Sequence, residues 1–221
     1  MNSILSLLFP PICLLCDEVG EPLCNSCNLK FRRLNRSCSL GEITIWPAAL
    51  YGDELASVIV AAKDQNSAPA RNILVQLLVG SFKRAAVELR DELPVALIPI
   101  PSSVGANRRR GFRHAQRLAS DLARTIRAER SGEIQVVEAL RVNRKIVDQS
   151  VLNKSERIQN LDKAHSLNPR ALPEPGIRAN FLVDDLVTSG STVLEGVRAL
   201  KEGGIIVKGV LCAGVSPRVF S

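Results

Sequence analysis

The last third of the chain carries a strand, a loop, a helix and a second strand in direct succession. An apolar run at 177–183 is followed by the loop DDLVTSGS and by a helical pattern that begins at Thr192. Gly203 and Gly204 end that helix, and the run IIVKGVLCAG begins the next strand. A strand, a crossover helix and a strand form a βαβ unit, whose two strands lie parallel in one sheet. The sequence therefore predicts an α/β protein with a parallel sheet flanked by helices.

The preceding 130 or so residues continue the same alternation. Strand patterns at 43–52, 95–101 and 133–140 are separated by helical patterns, the clearest of which covers 111–130. Aromatic residues make up only 4% of the chain, so we expect a core of Val, Leu, Ile and Ala. The polar, basic segment 141–165 has little apolar periodicity and predicts a long loop, of the kind that serves as a lid or a binding element.

Four of the six cysteines fall within fifteen residues, as Cys13-x-x-Cys16 and Cys24-x-x-Cys27. Two CxxC knuckles supply the four thiolates of a tetrahedral zinc site, and Cys38 offers an alternative ligand. Two disulfides are the competing interpretation, but they are typical of secreted proteins, and a redox CxxC needs a thioredoxin-like context. We therefore favour structural Zn²⁺, whose binding would supply most of the folding free energy of so small a module.

We predict two domains, a zinc-binding module at 1–42 and a larger domain at 43–221. The N-terminal stretch MNSILSLLFPP has an apolar run but no basic region before it, which argues against a signal peptide. No uncharged stretch approaches the length that crosses a bilayer, about 18 residues. We therefore expect a cytoplasmic protein without a membrane span, and the oligomeric state stays open.

Two acidic residues, Asp184 and Asp185, come where an apolar strand ends, at the sheet edge where open α/β folds bind ligands. Carboxylates there accept hydrogen bonds from vicinal sugar hydroxyls or help to hold a divalent cation. Backbone N–H groups at the start of the next helix form an anion site, with small hydroxylated side chains around it. That second group comprises Thr188, Ser189, Gly190, Ser191 and Thr192. Together they predict a ribose 5-phosphate pocket; the alternative is that Ser191 only caps the helix and the aspartates are solvated.

The segment FLVDDLVTSGST closely resembles the phosphoribosyl diphosphate-binding motif of type I phosphoribosyltransferases. From end to end the chain resembles the ComF family of competence-associated, GntX-like phosphoribosyltransferase homologues. The resemblance includes the paired CxxC motifs, a lone Lys63 after a short helix, and a PxP strand end leading to Arg-Gly-Phe at 110–112. It also includes a spaced set of residues further on, namely Gln149, Leu152, Arg157, Asn160 and Ala164.

This resemblance implies a type I phosphoribosyltransferase fold that binds phosphoribosyl diphosphate with Mg²⁺. Asp184 and Asp185 would contact the ribose hydroxyls, segment 188–192 would cradle the 5-phosphate, and Lys63 would belong to the same binding site. Arg110 follows the strand near the diphosphate position, where arginine stabilises the leaving group. The polar segment would be the flexible catalytic loop, in which the candidates are Arg144, Gln149 and Arg157.

The chain also departs from the family pattern. Cys38 has Gly41 where a third CxxC would place its partner, Arg113 and His114 replace the usual Asn-Gln, and His165 stands where a phenylalanine is expected. Neither histidine shows a partner pattern in the sequence, so we predict no catalytic role for them.

Two functional hypotheses remain open. The first is an enzyme that transfers a phosphoribosyl group to an unidentified acceptor. The second is a non-catalytic adaptor in DNA uptake that binds a nucleotide, single-stranded DNA or a DNA-uptake helicase. The net charge of +7 makes anionic partners reasonable, although the arginines along helix 111–130 form either a DNA-binding stripe or a solvated face.

Overall fold

The computed structural model describes residues 10–90, 94–129, 133–143 and 164–220. Its strands are β1 (Cys38–Leu40), β2 (Ile43–Leu50), β3 (Val95–Pro99), β4 (Ile134–Val136), β5 (Leu140–Val142), β6 (His165–Leu167), β7 (Ala179–Val187) and β8 (Gly209–Val215). Its helices are α1 (Asn25–Asn28), α2 (Asp53–Lys63), α3 (Ala68–Glu88), α4 (Val104–Arg110), α5 (His114–Glu129), α6 (Ser191–Glu202) and α7 (Pro217–Phe220).

A six-stranded sheet in the order β1-β2-β8-β7-β3-β4 forms the centre of the molecule. Every neighbouring pair is parallel except β1–β2, which is antiparallel. The predicted βαβ unit is present as β7–α6–β8, with Leu182 opposite Val210 in the ladder. Strands β5 and β6 form a separate antiparallel pair. The prediction of an α/β protein with a mostly parallel sheet flanked by helices is therefore confirmed.

The sheet is covered on both faces, as its parallel strands require. Helices α2, α3 and α5 cover one face, and the core there includes Trp46 and Phe82 packed edge-on against Phe181 at ring distances of 5.9 and 6.4 Å. Helices α6 and α7 and the β5–β6 pair cover the other face. Because side chains alternate along β7, Phe181 and Val183 face the first core and Leu182 faces the second.

A buried glutamate connects the β5–β6 pair to α6. Glu195 accepts the backbone N–H of His165 at 3.0 Å and two hydrogen bonds from Arg198 at 2.7 Å each, while Arg198 also donates to the His165 carbonyl at 2.9 Å. Burial alone would raise the pKa of Glu195, but the hydrogen bonds from Arg198 and from the His165 N–H, together with the Arg198 charge, lower that pKa. This network holds the strand pair against the helix of the βαβ unit.

Several boundaries differ from the predicted ones. The predicted 95–101 strand ends at Pro99, and the predicted 111–130 helix begins at His114 because Gly111, at φ +74°, caps α4 in a left-handed conformation. The predicted loop 141–165 begins within β5 and ends in β6, and its residues 144–163 lie outside the described part of the chain. No helix in the described ranges is long and apolar enough to cross a membrane.

Candidate functional site

The sheet has a topological switch point between its neighbouring strands β3 and β7. The chain leaves β3 for α4 and α5, and α5 covers one face, whereas it leaves β7 for α6 on the other face. Their ladder ends at the Pro99–Val183 pair, while β7 continues to Val187 beside β8. The carboxyl ends of the two strands therefore diverge, and such a crevice is where open α/β sheets bind their ligands.

Asp185 lies at this crevice and carries the strongest electrostatic contacts of the region. Its Oδ2 accepts a hydrogen bond from Lys63 Nζ at 3.0 Å and lies 3.5 Å from His114 Nε2, which is longer than an ordinary hydrogen bond. Burial alone would raise the pKa of Asp185, but the His114 imidazole and the Lys63 charge outweigh it and lower that pKa. Asp185 is therefore ionised at neutral pH and fixed between α2 and α5.

Asp184 has a different environment, although it is the adjacent residue. Both aspartates lie inside β7 rather than after it, because the ladder continues past them with Asp184 opposite Cys212. Its Oδ1 accepts the backbone N–H of Asp185 at 2.9 Å, and the side chain is half-buried. Burial and the neighbouring Asp185 charge raise the pKa of Asp184. The pair thus offers one carboxylate that is held in place, Asp185, and one, Asp184, whose charge a cation or a hydrogen-bond donor would stabilise.

The loop after β7 turns sharply into α6. Gly190 is the N-cap at φ +75°, a backbone that favours glycine, and a Cβ there would lie 2.1 Å from Leu40 Cδ2, so a larger residue would displace Leu40. Ser189 and Ser191 place their hydroxyls 3.0 Å apart, and Thr188 and Ser189 are exposed. The N-cap glycine has no side chain to cap the helix, and the Ser191 N–H donates to Ser189 Oγ at 3.4 Å, so an anion there would meet the following N–H groups of the first turn. Ser191 is the first helical residue rather than the cap.

Arg110 lies near Lys63 of the crevice. At the end of α4, its Nε donates to Asp64 Oδ1 at 3.1 Å, and its positive charge acts on Lys63. Its Nη1 is buried without a hydrogen-bond partner among the described residues. The structure therefore brings Lys63, Arg110, Asp184 and Asp185 together, whereas Arg144, Gln149 and Arg157 lie outside the described residues.

His114 is a site residue that the sequence analysis missed. It begins α5, is 2% exposed, and lies against Asp185. The available signal was its position directly after Arg-Gly-Phe and Arg113, where the family pattern has glutamine. The other histidine, His165, begins β6 and is buried, which lowers its pKa.

A cavity of about 370 Å³ opens beside His114 at the carboxyl end of β3. Its walls combine apolar side chains from β3 and β5 with several polar groups. The polar residues of the wall include Ser102, Asn107, His114, Gln116 and Glu138.

The arginines of the 111–130 region are mostly paired within the protein. Arg113 bonds Glu138, Arg124 bonds Asp121 at 2.9 Å, and Arg117 stacks on Phe112 while bonding Asn66. The backbone carbonyl of Ile134 accepts from Arg127. Arg108 and Arg109, on α4, are exposed.

The four cysteines of the CxxC pairs form one cluster near the N-terminus. The Sγ atoms of Cys13, Cys16, Cys24 and Cys27 all lie within 4.8 Å of one another, an arrangement that could hold a metal ion. Burial would raise the pKa of Cys13, but backbone N–H groups, led by that of Cys24, lower it to about 6. Cys38 lies apart from this cluster, in β1, where it packs against the second core.

Fold and site together define a mixed α/β protein with a charged crevice at its switch point and a four-cysteine cluster. The chain is 28% identical over 210 residues to DNA utilization protein YhgH of Escherichia coli O157:H7, covering 91% of this chain and 88% of the relative. It is 27% identical over 190 residues to competence protein F of Haemophilus influenzae, covering 83% and 80%. No protein-family model matches the chain. These relatives confirm the predicted relationship to the ComF family.

Proposed function

We propose that this chain has a type I phosphoribosyltransferase fold and binds phosphoribosyl diphosphate with Mg²⁺ at the switch-point crevice. The observation that carries the proposal is the ionised Asp185, held by Lys63, on the strand that leads into the uncapped start of α6. Carboxylates suit ribose hydroxyls, and helix N–H groups suit the 5-phosphate at 188–192. Asp184, whose pKa is raised by burial and by Asp185, would gain from a hydroxyl donor.

The same site would support group transfer to an acceptor. The bond between the ribose anomeric carbon and the diphosphate oxygen would break, the acceptor's lone pair would form the new bond to that carbon, and the acceptor's proton would pass to the released diphosphate or to water. Arg110, whose buried Nη1 has no hydrogen-bond partner among the described residues, would receive diphosphate charge. The proposal gives Arg144 and Arg157 the same role, in a loop that would close over the ligand. Mg²⁺ would neutralise diphosphate oxygens. No protein nucleophile is needed, because positioning and charge stabilisation would supply the rate increase.

We further propose that Zn²⁺ occupies the four-cysteine cluster as a structural ion. Thiolates about 2.3 Å from a tetrahedral Zn²⁺ lie roughly 3.8 Å apart, and Cys16 Sγ and Cys24 Sγ are 3.6 Å apart. The backbone N–H groups that lower the Cys13 pKa favour the thiolate that a zinc ion requires. We keep the division into a module at 1–42 and a domain at 43–221 as part of the proposal, with β1 as the strand that joins the two.

Calorimetric titration with phosphoribosyl diphosphate and Mg²⁺ tests the crevice. We expect the wild type to bind, and Asp185→Asn to bind at least about tenfold more weakly, because a charged hydrogen-bonding group is lost. Asp121→Asn is the matched control, since Asp121, on α5, pairs with Arg71 of α3 and with Arg124. Equal binding by wild type and Asp185→Asn, or none by wild type, would contradict the proposal.

A second function, single-stranded DNA binding in DNA uptake, is favoured by the exposed Arg108 and Arg109 beside the crevice and by the names of the relatives. In this hypothesis a DNA-uptake helicase is the protein partner. We expect the affinity for an oligonucleotide to fall as the salt concentration rises. In Arg108→Gln/Arg109→Gln, the slope of log affinity against log salt concentration should become shallower by roughly 0.7 for each phosphate contact removed. The control Arg117→Gln/Arg124→Gln removes arginines that are already paired. If both double variants weaken binding alike, these two arginines are not the contact.

A further inference from the structure

The carboxylate of Asp185 is buried, and both of its oxygens already have partners within the protein. The residue is only 3% exposed. Its Oδ1 accepts the backbone N–H of Leu186 at 3.0 Å, and its Oδ2 accepts from Lys63 Nζ, also at 3.0 Å. His114 Nε2 lies 3.5 Å from that same Oδ2. A carboxylate so enclosed has little accessible surface left to offer the hydroxyl groups of a sugar.

The adjacent carboxylate, Asp184, is the more accessible of the two. Its residue is half-buried, and it makes no ion pair among the described residues. Burial and the neighbouring Asp185 charge raise the pKa of Asp184. A hydroxyl group of a ligand would therefore stabilise the charge of Asp184, whereas Asp185 already has its donors.

Lys63 is the part of this network that reaches the solvent. It is the last residue of α2, and its side chain is 29% exposed, against 5% for that of Asp185. Burial alone would lower the pKa of Lys63, but the charges of Asp185 and Asp184 raise it, so the ammonium group is charged at neutral pH. An ammonium group has three N–H donors, and the bond to Asp185 uses one of them. Donors therefore remain for an anion in the crevice.

A free lysine side chain would not hold its ammonium group in one place. Its four-carbon stem has many rotamers, and fixing it in one of them loses conformational entropy. The hydrogen bond to Asp185 fixes Lys63 before any ligand arrives, and the contact with His114 of α5 helps to hold the carboxylate itself. Preorganised donors of this kind bind a ligand more tightly than mobile ones.

We propose that Asp185 is a positioning residue, which holds the Lys63 ammonium group for an anion in the crevice, and that Asp184 is the carboxylate that contacts the sugar. The inference rests on the proposed function, because it divides the roles within that site. Arg110 lies near Lys63. The anion that Lys63 meets would therefore be the diphosphate, whereas the 5-phosphate would lie at 188–192.

A single substitution separates this role from the alternatives, because the expected effects have opposite signs. Asp185→Asn removes a negative charge from the crevice, so Coulomb attraction alone would strengthen the binding of an anion. Loss of the orienting partner of Lys63 would instead weaken the binding of diphosphate. Loss of a direct sugar contact would weaken the binding of ribose 5-phosphate.

The test titrates two probes separately into the full chain, inorganic diphosphate with Mg²⁺ and ribose 5-phosphate, and measures both affinities by NMR. Asp185→Asn should weaken the binding of diphosphate by about fivefold and change that of ribose 5-phosphate by less than about twofold. Asp184→Asn should weaken the binding of ribose 5-phosphate by about tenfold. Unchanged or tighter binding of diphosphate by Asp185→Asn would overturn the inference. Equal weakening of both probes by Asp185→Asn would show a merely structural role and would also overturn it.

A double-substitution cycle shows whether Asp185 acts through Lys63. Lys63→Gln should weaken the binding of diphosphate by about tenfold, and adding Asp185→Asn should weaken it no further. Lys83→Gln is the matched control, since Lys83 is also ion-paired, at 2.7 Å, but to Glu129 at the opposite end of α5 from His114. A further loss in the double variant, or an equal loss in Lys83→Gln, would overturn the assignment.

This inference and the proposed function fail separately. If wild type binds diphosphate with the expected pattern of variants but does not bind phosphoribosyl diphosphate, the proposed ligand is wrong and the role of Asp185 stands. If phosphoribosyl diphosphate binds and Asp185→Asn weakens the binding of ribose 5-phosphate rather than of diphosphate, the proposed function stands and this inference is wrong. If none of the three binds, both are wrong.

Discussion

At the scale of single residues, Asp184 and Asp185 show how neighbours acquire opposite properties. Alternation along β7 turns Asp185 toward the face of α2 and α5, where Lys63 and His114 stabilise its charge. Asp184 has no such contact among the described residues, and burial together with the adjacent Asp185 charge raises its pKa. Two chemically identical side chains therefore make opposite contributions to stability.

We expect Asp185→Asn to lower the free energy of unfolding at pH 7 by about 2 kcal/mol, because it leaves Lys63 without its partner. Asp184→Asn should leave that free energy unchanged or raise it by up to about 1 kcal/mol, because it removes a repelling charge. Urea unfolding of both variants measures the difference. A larger loss in Asp184→Asn than in Asp185→Asn would contradict this account.

The same pair predicts a pH dependence. The pKa of Asp185 is lower in the folded state than in the unfolded state. Its contribution to the free energy of unfolding is therefore fully present above the unfolded pKa of about 3.9 and is lost as the pH falls toward the folded pKa. The raised pKa of Asp184 has the opposite effect on the free energy of unfolding, because protonation of Asp184 as the pH falls stabilises the folded state. Wild type should therefore lose more stability than Asp185→Asn when the pH is lowered below about 4.

At the scale of elements, the turn from β7 into α6 depends on a glycine whose neighbour comes from a distant strand. Gly190 and Gly204 flank α6 with nearly the same backbone, at φ +75° and +78°. They differ in surroundings, because a Cβ at 190 would meet Leu40 of β1, and a Cβ at 204 would meet nothing within 4 Å. β1 therefore supports the turn that carries the proposed phosphate loop.

This comparison gives a matched pair of substitutions. Gly204→Ala should cost about 1 kcal/mol from the left-handed backbone alone, and Gly190→Ala about 3 kcal/mol, because the clash with Leu40 is added. Thermal or urea unfolding measures both. Combining Gly190→Ala with Leu40→Ala should recover part of the extra loss, and a simple sum of the two single effects would rule out the contact as its cause.

At the scale of the whole molecule, the cysteine cluster and the sheet are joined through a shared core. Leu15 and Leu23 pack against the cluster cysteines and also against the core under α3. Phe31 belongs to that same core. Loss of a metal ion should therefore loosen the N-terminal module first and the main sheet only slightly.

We expect about one zinc ion per chain in purified protein, lost in Cys27→Ser and retained in Cys38→Ser, because Cys38 lies outside the cluster. Hydrogen exchange in Cys27→Ser should speed up at 13–31 and stay slow in β7 and β8. Metal analysis and exchange mass spectrometry provide the readouts. Equal zinc loss in both serine variants would exclude the assigned ligand set.

Local pattern alone determined the βαβ unit, the parallel sheet and the four clustered cysteines, since apolar periodicity and CxxC spacing are encoded in neighbouring residues. The motif also marked Asp184, Asp185 and Gly190. Only the tertiary structure decided that Lys63 and His114 reach Asp185, from 122 and 71 positions earlier in the chain. It also decided that β7 extends past the aspartates, because the length of that strand depends on its ladder with β8. Contacts between distant segments depend on how helices and strands pack, and no local spacing records them.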